Sequence, residues 1–307
     1  MIKKLSLILL LLSISAASAA AADRLSVFVS IVPQKTFVQQ IGKDLVDINV
    51  MVTPGASPAT YEPKPRQMAE LSNAALYFAI GAPFERTWLR KIAAANPRMT
   101  VVHTDKGIEK LAMAAHYHGE EGHEEDNHHA EEHHEKDHHD DGDDHTGLDP
   151  HIWTSPALVK IQAAAILKAL QKADPANEGA YADNFKAFIA GVDALDRELS
   201  QTFAGKKGLQ FMVFHPSWGY FARDYGLTQI PIEIEGKDPK PAQLKELISH
   251  AREEGIKVIF VQPQFSTKSA TLIAREIKGQ VAFADPLAED WAGNLRMIAE
   301  KFSAVLK

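Results

Sequence analysis

Three stretches place a metal-capable side chain where an α/β protein would use one. His215 ends the apolar run FMVFH, Asp285 ends VAFAD, and His151 lies in LDPHIWTSP ahead of a helical pattern. In open α/β sheets, ligands bind outside the carboxyl ends of the strands. Imidazole and carboxylate donors gathered round one cation suit zinc, and manganese or iron would accept them. Each residue has a plainer reading. His215 can be a hydrogen-bonded histidine before a helix, Asp285 before Pro286 can cap a turn, and His151 can be a loop residue. The triple weighs more than any member, because all three could project into one cleft between two lobes. His103 also ends a strand-like run, MTVVH, but the adjoining HTDKG is turn chemistry. The one HExxH string, HEKDH at 134–138, lies in a stretch made almost wholly of His, Asp and Glu, without the apolar helical pattern a metalloprotease helix needs; there is no GxSxG and no cysteine, hence no thiolate nucleophile or thiolate metal site. Three ligands and an open position would fit a metallohydrolase, but no general base is evident beside them.

The elements that must position these residues are legible as apolar periodicity. RLSVFVSI, VDINVMV, AALYFAIG and MTVVH read as strands, separated by helical PQKTFVQQIG, PRQMAELSNA and PFERTWLRKIAAAN. Such β-α alternation predicts a parallel sheet with helices on its faces. Two long helical patterns follow, and the second keeps Tyr181, Phe185, Phe188, Val192, Leu195 and Leu199 at three- and four-residue steps. FMVFH, LTQIPIEI, IKVIFVQ and QVAFADP then begin a second alternation, ending in helical LAEDWAGNLRMIAEKFSAVL. The fold class expected is α/β, with two parallel-sheet (βα)4-type lobes joined by a long rigid linker helix. The expected boundaries are an N-terminal lobe over 23–176, a linker helix over 177–203 and a C-terminal lobe over 204–307.

One segment belongs to neither alternation. HGEEGHEEDNHHAEEHHEKDHHDDGDDH, at 118–145, holds nine histidines, thirteen acids and a single lysine. It carries −12 of a chain whose formal charge is −7, so the remainder carries +5. With no apolar periodicity, a disordered insert over 116–146 in the first lobe is expected. Its imidazoles, with that of His116, form an auxiliary set: His116, His118, His123, His128, His129, His133, His134, His138, His139 and His145. Such a tether can form several weak, exchanging zinc sites, and binding should fade below about pH 6 as imidazoles protonate. A merely solvating loop would not require so many imidazoles. No long basic run or aromatic-basic face appears, which argues against nucleic acid as a partner.

At the other end, Lys3 and Lys4 precede LSLILLLLSI and the small residues SAASAAAAD. This reads as a signal peptide over 1–22, cleaved between Ala19 and Asp23. The apolar run is short for a membrane span. The absence of cysteine removes the acylated residue of a lipoprotein. A soluble periplasmic protein without a stable membrane anchor is expected.

Taken together, PGASPATYEPKPRQM, the His/acid insert followed by DPHIWTSP, VFHPSWGYFARDYGL, PIEIEGKDPKPAQL and ADPLAEDWAGNL resemble the zinc- and manganese-binding solute receptors of bacterial ABC importers. The resemblance covers essentially the whole mature chain. It implies a periplasmic, monomeric, non-enzymatic receptor that holds one metal between two lobes and delivers it to an ABC permease. His151, His215 and Asp285 match the family's ligand positions, but Ala59 stands where a further histidine is expected. Water or a neighbour would then complete the shell, the candidates being Glu62, His103, Glu233, Glu235 or an insert histidine. The insert and a histidine at 215 favour Zn2+ over Mn2+. A zinc buffer or metallochaperone and a manganese receptor are the alternatives.

Overall fold

The computed structural model describes residues 24–113, 147–234 and 237–306. The first lobe runs β1 (Leu25–Val29), α1 (Val32–Gly42), β2 (Val46–Val50), α2 (Pro65–Glu70), β3 (Leu76–Ala79), α3 (Pro83–Ala95) and β4 (Thr100–His103). Two long helices follow, α4 (Pro156–Ala173) and α5 (Glu178–Thr202). The second lobe runs β5 (Gln210–Val213), α6 (Gly219–Tyr225), β6 (Thr228–Pro231), α7 (Pro241–Glu253), β7 (Val258–Val261), α8 (Lys268–Glu276), β8 (Gln280–Phe283) and α9 (Trp291–Val305).

Each lobe contains one parallel four-stranded sheet, in the orders β2-β1-β3-β4 and β6-β5-β7-β8. The inner strands β3 and β7 are buried along their whole length, as expected where helices cover both faces of a parallel sheet. In both sheets the order reverses beside the first strand of the lobe. Crevices therefore open at the carboxyl ends of β1 and β3 and of β5 and β7, where such sheets bind ligands.

The lobes share a core. One apolar cluster runs from Val27, Phe37 and Phe78 through Tyr181, Leu195 and Leu199 to Phe211, Phe260 and Phe302. A second, containing Met212, Leu247 and Ile259, belongs wholly to the second lobe. Helix α5 has 25 residues and is about 38 Å long at about 1.5 Å per residue. It packs against α1 and α4 on one side and α9 on the other. Across the lobes, the rings of Phe37 and Trp291 meet edge to face, 5.2 Å between centroids. Apolar surface buried between lobes resists wide opening, because hinging would return it to water.

The insert and Glu235 lie outside the described residues. The insert's flanks are anchored: Ala112 and Leu148 form an antiparallel bridge, and the Met113 amide donates to the Gly147 carbonyl at 2.6 Å.

Candidate metal centre

His215 lies two residues beyond β5, in the crevice between β5 and β7. Gln262, the residue after β7, clamps its backbone. The Gln262 Oε1 accepts from the His215 amide at 3.2 Å, and its Nε2 donates to the His215 carbonyl at 2.6 Å. The ring stacks on Phe265 at a centroid distance of 4.7 Å. Its Nδ1 is 2.6 Å from Glu233 Oε1, and Glu233 is itself buried.

His151 belongs to the turn between the insert and α4. Asp149 Oδ1 accepts both the His151 amide, at 2.8 Å, and its ring Nδ1, at 2.7 Å. The second lobe holds this turn in place. Tyr220 of α6 donates its hydroxyl to the Asp149 carbonyl at 2.7 Å and accepts from the Leu111 amide at 3.1 Å. Gly219 begins α6 hard against the same carboxylate: a Cβ there would lie 2.8 Å from Asp149 Oδ2. Ser155 caps α4 by accepting from the Leu158 amide, and its hydroxyl donates to Asp224 of α6. Trp153 spans the interlobe seam, donating its Nε1 to the Pro286 carbonyl at 2.8 Å while its own carbonyl accepts from Trp291 Nε1 at 2.7 Å.

The two imidazoles therefore converge from different lobes. Their Nε2 atoms are 3.3 Å apart and their ring planes cross at 75°. A carboxylate beside each Nδ1 favours the tautomer with the proton on that nitrogen, which turns the two Nε2 lone pairs toward each other. Burial holds the His151 pKa below the ordinary imidazole value, against the opposing pull of Asp149. It is thus kept neutral, as a ligand must be. Two lone pairs at this separation have the spacing to chelate one cation. Tetrahedral zinc with Zn–N bonds of about 2.0–2.1 Å would set two nitrogens about 3.3–3.4 Å apart.

These rings face a cavity of about 410 Å³ between the lobes, lined also by Ala59, Arg86, Trp153, Glu233, Phe265 and Pro286. The insert's two anchors, Met113 and Gly147, lie on its wall.

Of the residues expected from sequence, His151 and His215 are brought together. Asp285 does not line this cavity. It lines an adjoining one of about 170 Å³, with Gln264 and Leu287 shared between the two. Its Oδ1 accepts from Gln264 Nε2 at 3.1 Å and from the Leu287 amide at 2.9 Å, which is the geometry of a turn cap. Glu233 reaches the site through His215. Glu62 is exposed and lines neither cavity. His103, half-exposed, faces Asp105 at 3.9 Å and lines neither cavity. Among the described residues, no three His, Cys, Asp or Glu side chains are grouped to hold a metal. Sequence reading missed Asp149, although an acid two residues before a histidine is a detectable signal. It missed Gln262 and Tyr220 because their partners are remote in the chain.

Among the described residues, the first lobe's own crevice holds no histidine. There Ser30 donates to Glu85 Oε1 and lies 2.9 Å from the Tyr77 hydroxyl, while the Ile80 and Gly81 amides donate to the same carboxylate at 3.0 and 2.8 Å. Despite these donors, burial pushes Glu85 up to about 7. Polar packing fills this crevice, and the two converging imidazoles come instead from the turn before α4 and from the second lobe.

The family model of the zinc-uptake complex component A, periplasmic, matches residues 27–305. This chain belongs to that family. It is 32% identical over 259 residues to the high-affinity zinc uptake system protein ZnuA of Bacillus subtilis, covering 83% of this chain and 76% of the relative. It is 26% identical over 281 residues to a putative metal-binding protein of Chlamydia trachomatis, covering 91% of each. A crystal structure of ZnuA superposes with a TM-score of 0.81 at 42% identity, over 93% of this chain and 100% of that one. A ZnuA deletion mutant plus zinc bound superposes at 0.80, also at 42% identity, over 93% and 99%. Zinc-uptake components of this family are solute-binding transport proteins rather than enzymes. Among the described residues no helix is long and apolar enough to cross a membrane.

Proposed function

We propose that this chain is the zinc receptor of an ABC uptake system, with His151 and His215 as its metal ligands. The reading rests on one observation above all: two Nε2 lone pairs 3.3 Å apart, each backed by a carboxylate on the opposite ring nitrogen. That separation matches the bite of tetrahedral zinc, and a pair of imidazoles favours zinc over the oxygen-preferring manganese. Asp149 and Glu233 fix the tautomers and raise the basicity of the ligating nitrogens.

Function follows from where the ligands sit. One comes from each side of the seam, so occupancy acts on the Trp153–Pro286 and Tyr220–Asp149 contacts that join the lobes. The shared core restricts the response to local rearrangement rather than wide closure. A permease reading the interlobe face would then distinguish loaded from empty receptor. The insert, anchored at the cavity wall, serves as an auxiliary set of weaker zinc sites that raises the local metal concentration. We place the mature chain in the periplasm as a monomer, with the leader over 1–22 removed and no lipid attached.

A competitive zinc titration of the full chain and of a version lacking 116–145 tests this. One tight site should survive the deletion and disappear in His215→Ala. Loss of all tight binding on deletion would make the insert the principal zinc-binding element and overturn the reading.

A further inference from the structure

The cavity is far larger than a bare ion needs. A water's share of liquid volume is about 30 Å³, whereas this space is about 410 Å³, within the roughly 300–1,000 Å³ of small-molecule pockets. Beyond the two histidines, the only carboxylate among its described lining residues is Glu233, which is engaged with His215 Nδ1 at 2.6 Å. Ala59 ligates nothing, Asp285 is turned to the adjoining pocket, and Pro58, Pro83, Phe265 and Pro286 are apolar. The polar remainder is selective in kind. Arg86, which has five donors, is the only arginine or lysine among the described lining residues.

Building on the zinc-receptor reading, we propose that the cargo is zinc carried by a small anionic chelator of the α-amino-acid class. His151 and His215 supply two of four ligands. The amino nitrogen and one carboxylate oxygen of the chelator supply the other two. The chelator's body fills the space before Ala59, and the outer carboxylate oxygen faces Arg86. Docking is a ligand exchange: the two imidazoles displace two waters, or a second chelator molecule, from the zinc. The chelator stays bound, and neither oxidation state nor any carbon bond changes.

L-Histidine is the probe. Zinc affinity of the full chain is measured by calorimetry, with and without one equivalent of L-histidine per zinc, and native mass spectrometry counts the molecules bound. The same is done on the version lacking 116–145. A species with one protein, one zinc and one histidine should dominate in both, with retention of zinc against a competing chelator raised about tenfold or more. Arg86→Gln should remove most of that gain. Ala59→His should bind bare zinc more tightly and no longer gain from histidine. Tight binding of bare zinc with no ternary species would overturn the proposal and leave the zinc receptor standing. Undiminished gain in Arg86→Gln would overturn the assigned carboxylate contact and with it the proposal. Failure to bind zinc in either form would overturn both readings.

Discussion

His151 and His215 point their Nε2 atoms at each other across 3.3 Å, although 64 residues separate them in the chain. Neither ring chooses that direction alone. Asp149 fixes the first and Glu233 the second, each through Nδ1. The pair is consequently preset before any cation arrives, which lowers the ordering cost of binding. Removing either ligand by His151→Ala or His215→Ala should abolish the tight site in the chain lacking 116–145. Asp149→Asn and Glu233→Gln leave the ligands but loosen their tautomers, and each should cost about 10–100-fold in zinc affinity. Asp285→Asn, at a carboxylate tied to Gln264 and Leu287, should cost less than either. Competitive titration of these five variants checks the order.

A separate prediction concerns Glu85, buried in the first turn of α3. Burial raises its pKa from 4.5 to about 7. A carboxyl held above its unfolded value contributes stability that is fully present below about pH 4.5 and is lost as pH rises through about 7. Glu85→Gln does not titrate; it keeps one of the two oxygens that accept the Ile80 and Gly81 amides, and the loss of the other is a cost that does not change with pH. The variant's melting temperature should therefore gain on that of the parent as pH rises from about 4.5 to about 7. Thermal unfolding of both metal-free proteins across that window measures the difference; a constant gap would show that Glu85 titrates normally.

Much of this was legible in the sequence because it depends on local pattern. The two β-α alternations are periodicities of two and 3.6 residues, and the 25-residue helix α5 announces itself through Tyr181, Val192, Leu195 and Leu199. His215 could be found because a strand end is a local feature. Asp285 ends a strand in the same way, yet its direction is set by Gln264, 21 residues away, and by the Leu287 amide. The clamp of Gln262 on His215 and of Tyr220 on Asp149 were illegible for the same reason. They are pairings across 47 and 71 residues, and only the folded topology selects them.

The seam offers a third prediction. Trp153 and Trp291 form a relay in which Trp291 Nε1 donates to the Trp153 carbonyl and Trp153 Nε1 donates to the Pro286 carbonyl. Trp291→Phe would strand a buried acceptor, costing about 1–3 kcal/mol beyond the lost packing. Because Trp153 follows His151 by two residues, zinc affinity of the main site should fall with stability. Phe302→Leu, in the shared core among Phe211, Phe221 and Phe260, should lower stability without a matching loss of affinity. Chemical denaturation paired with zinc titration separates the two, and equal losses of affinity would deny the relay any part in holding His151.

Acidification should resolve two classes of zinc binding. Protons compete with zinc for every imidazole, and ordinary imidazoles yield near pH 6.5. The ten insert histidines, from His116 to His145, should release zinc as pH falls through that value. His151 is held below it by burial, so protons take its Nε2 only at lower pH. In the full chain, stoichiometry measured by equilibrium dialysis should fall from several zinc ions at pH 7.5 to one at about pH 6. The chain lacking 116–145 should hold one throughout. A main site that empties together with the insert would mean that His151 titrates as an exposed imidazole, and that its burial between Asp149 and Trp153 does nothing to keep it ready for metal.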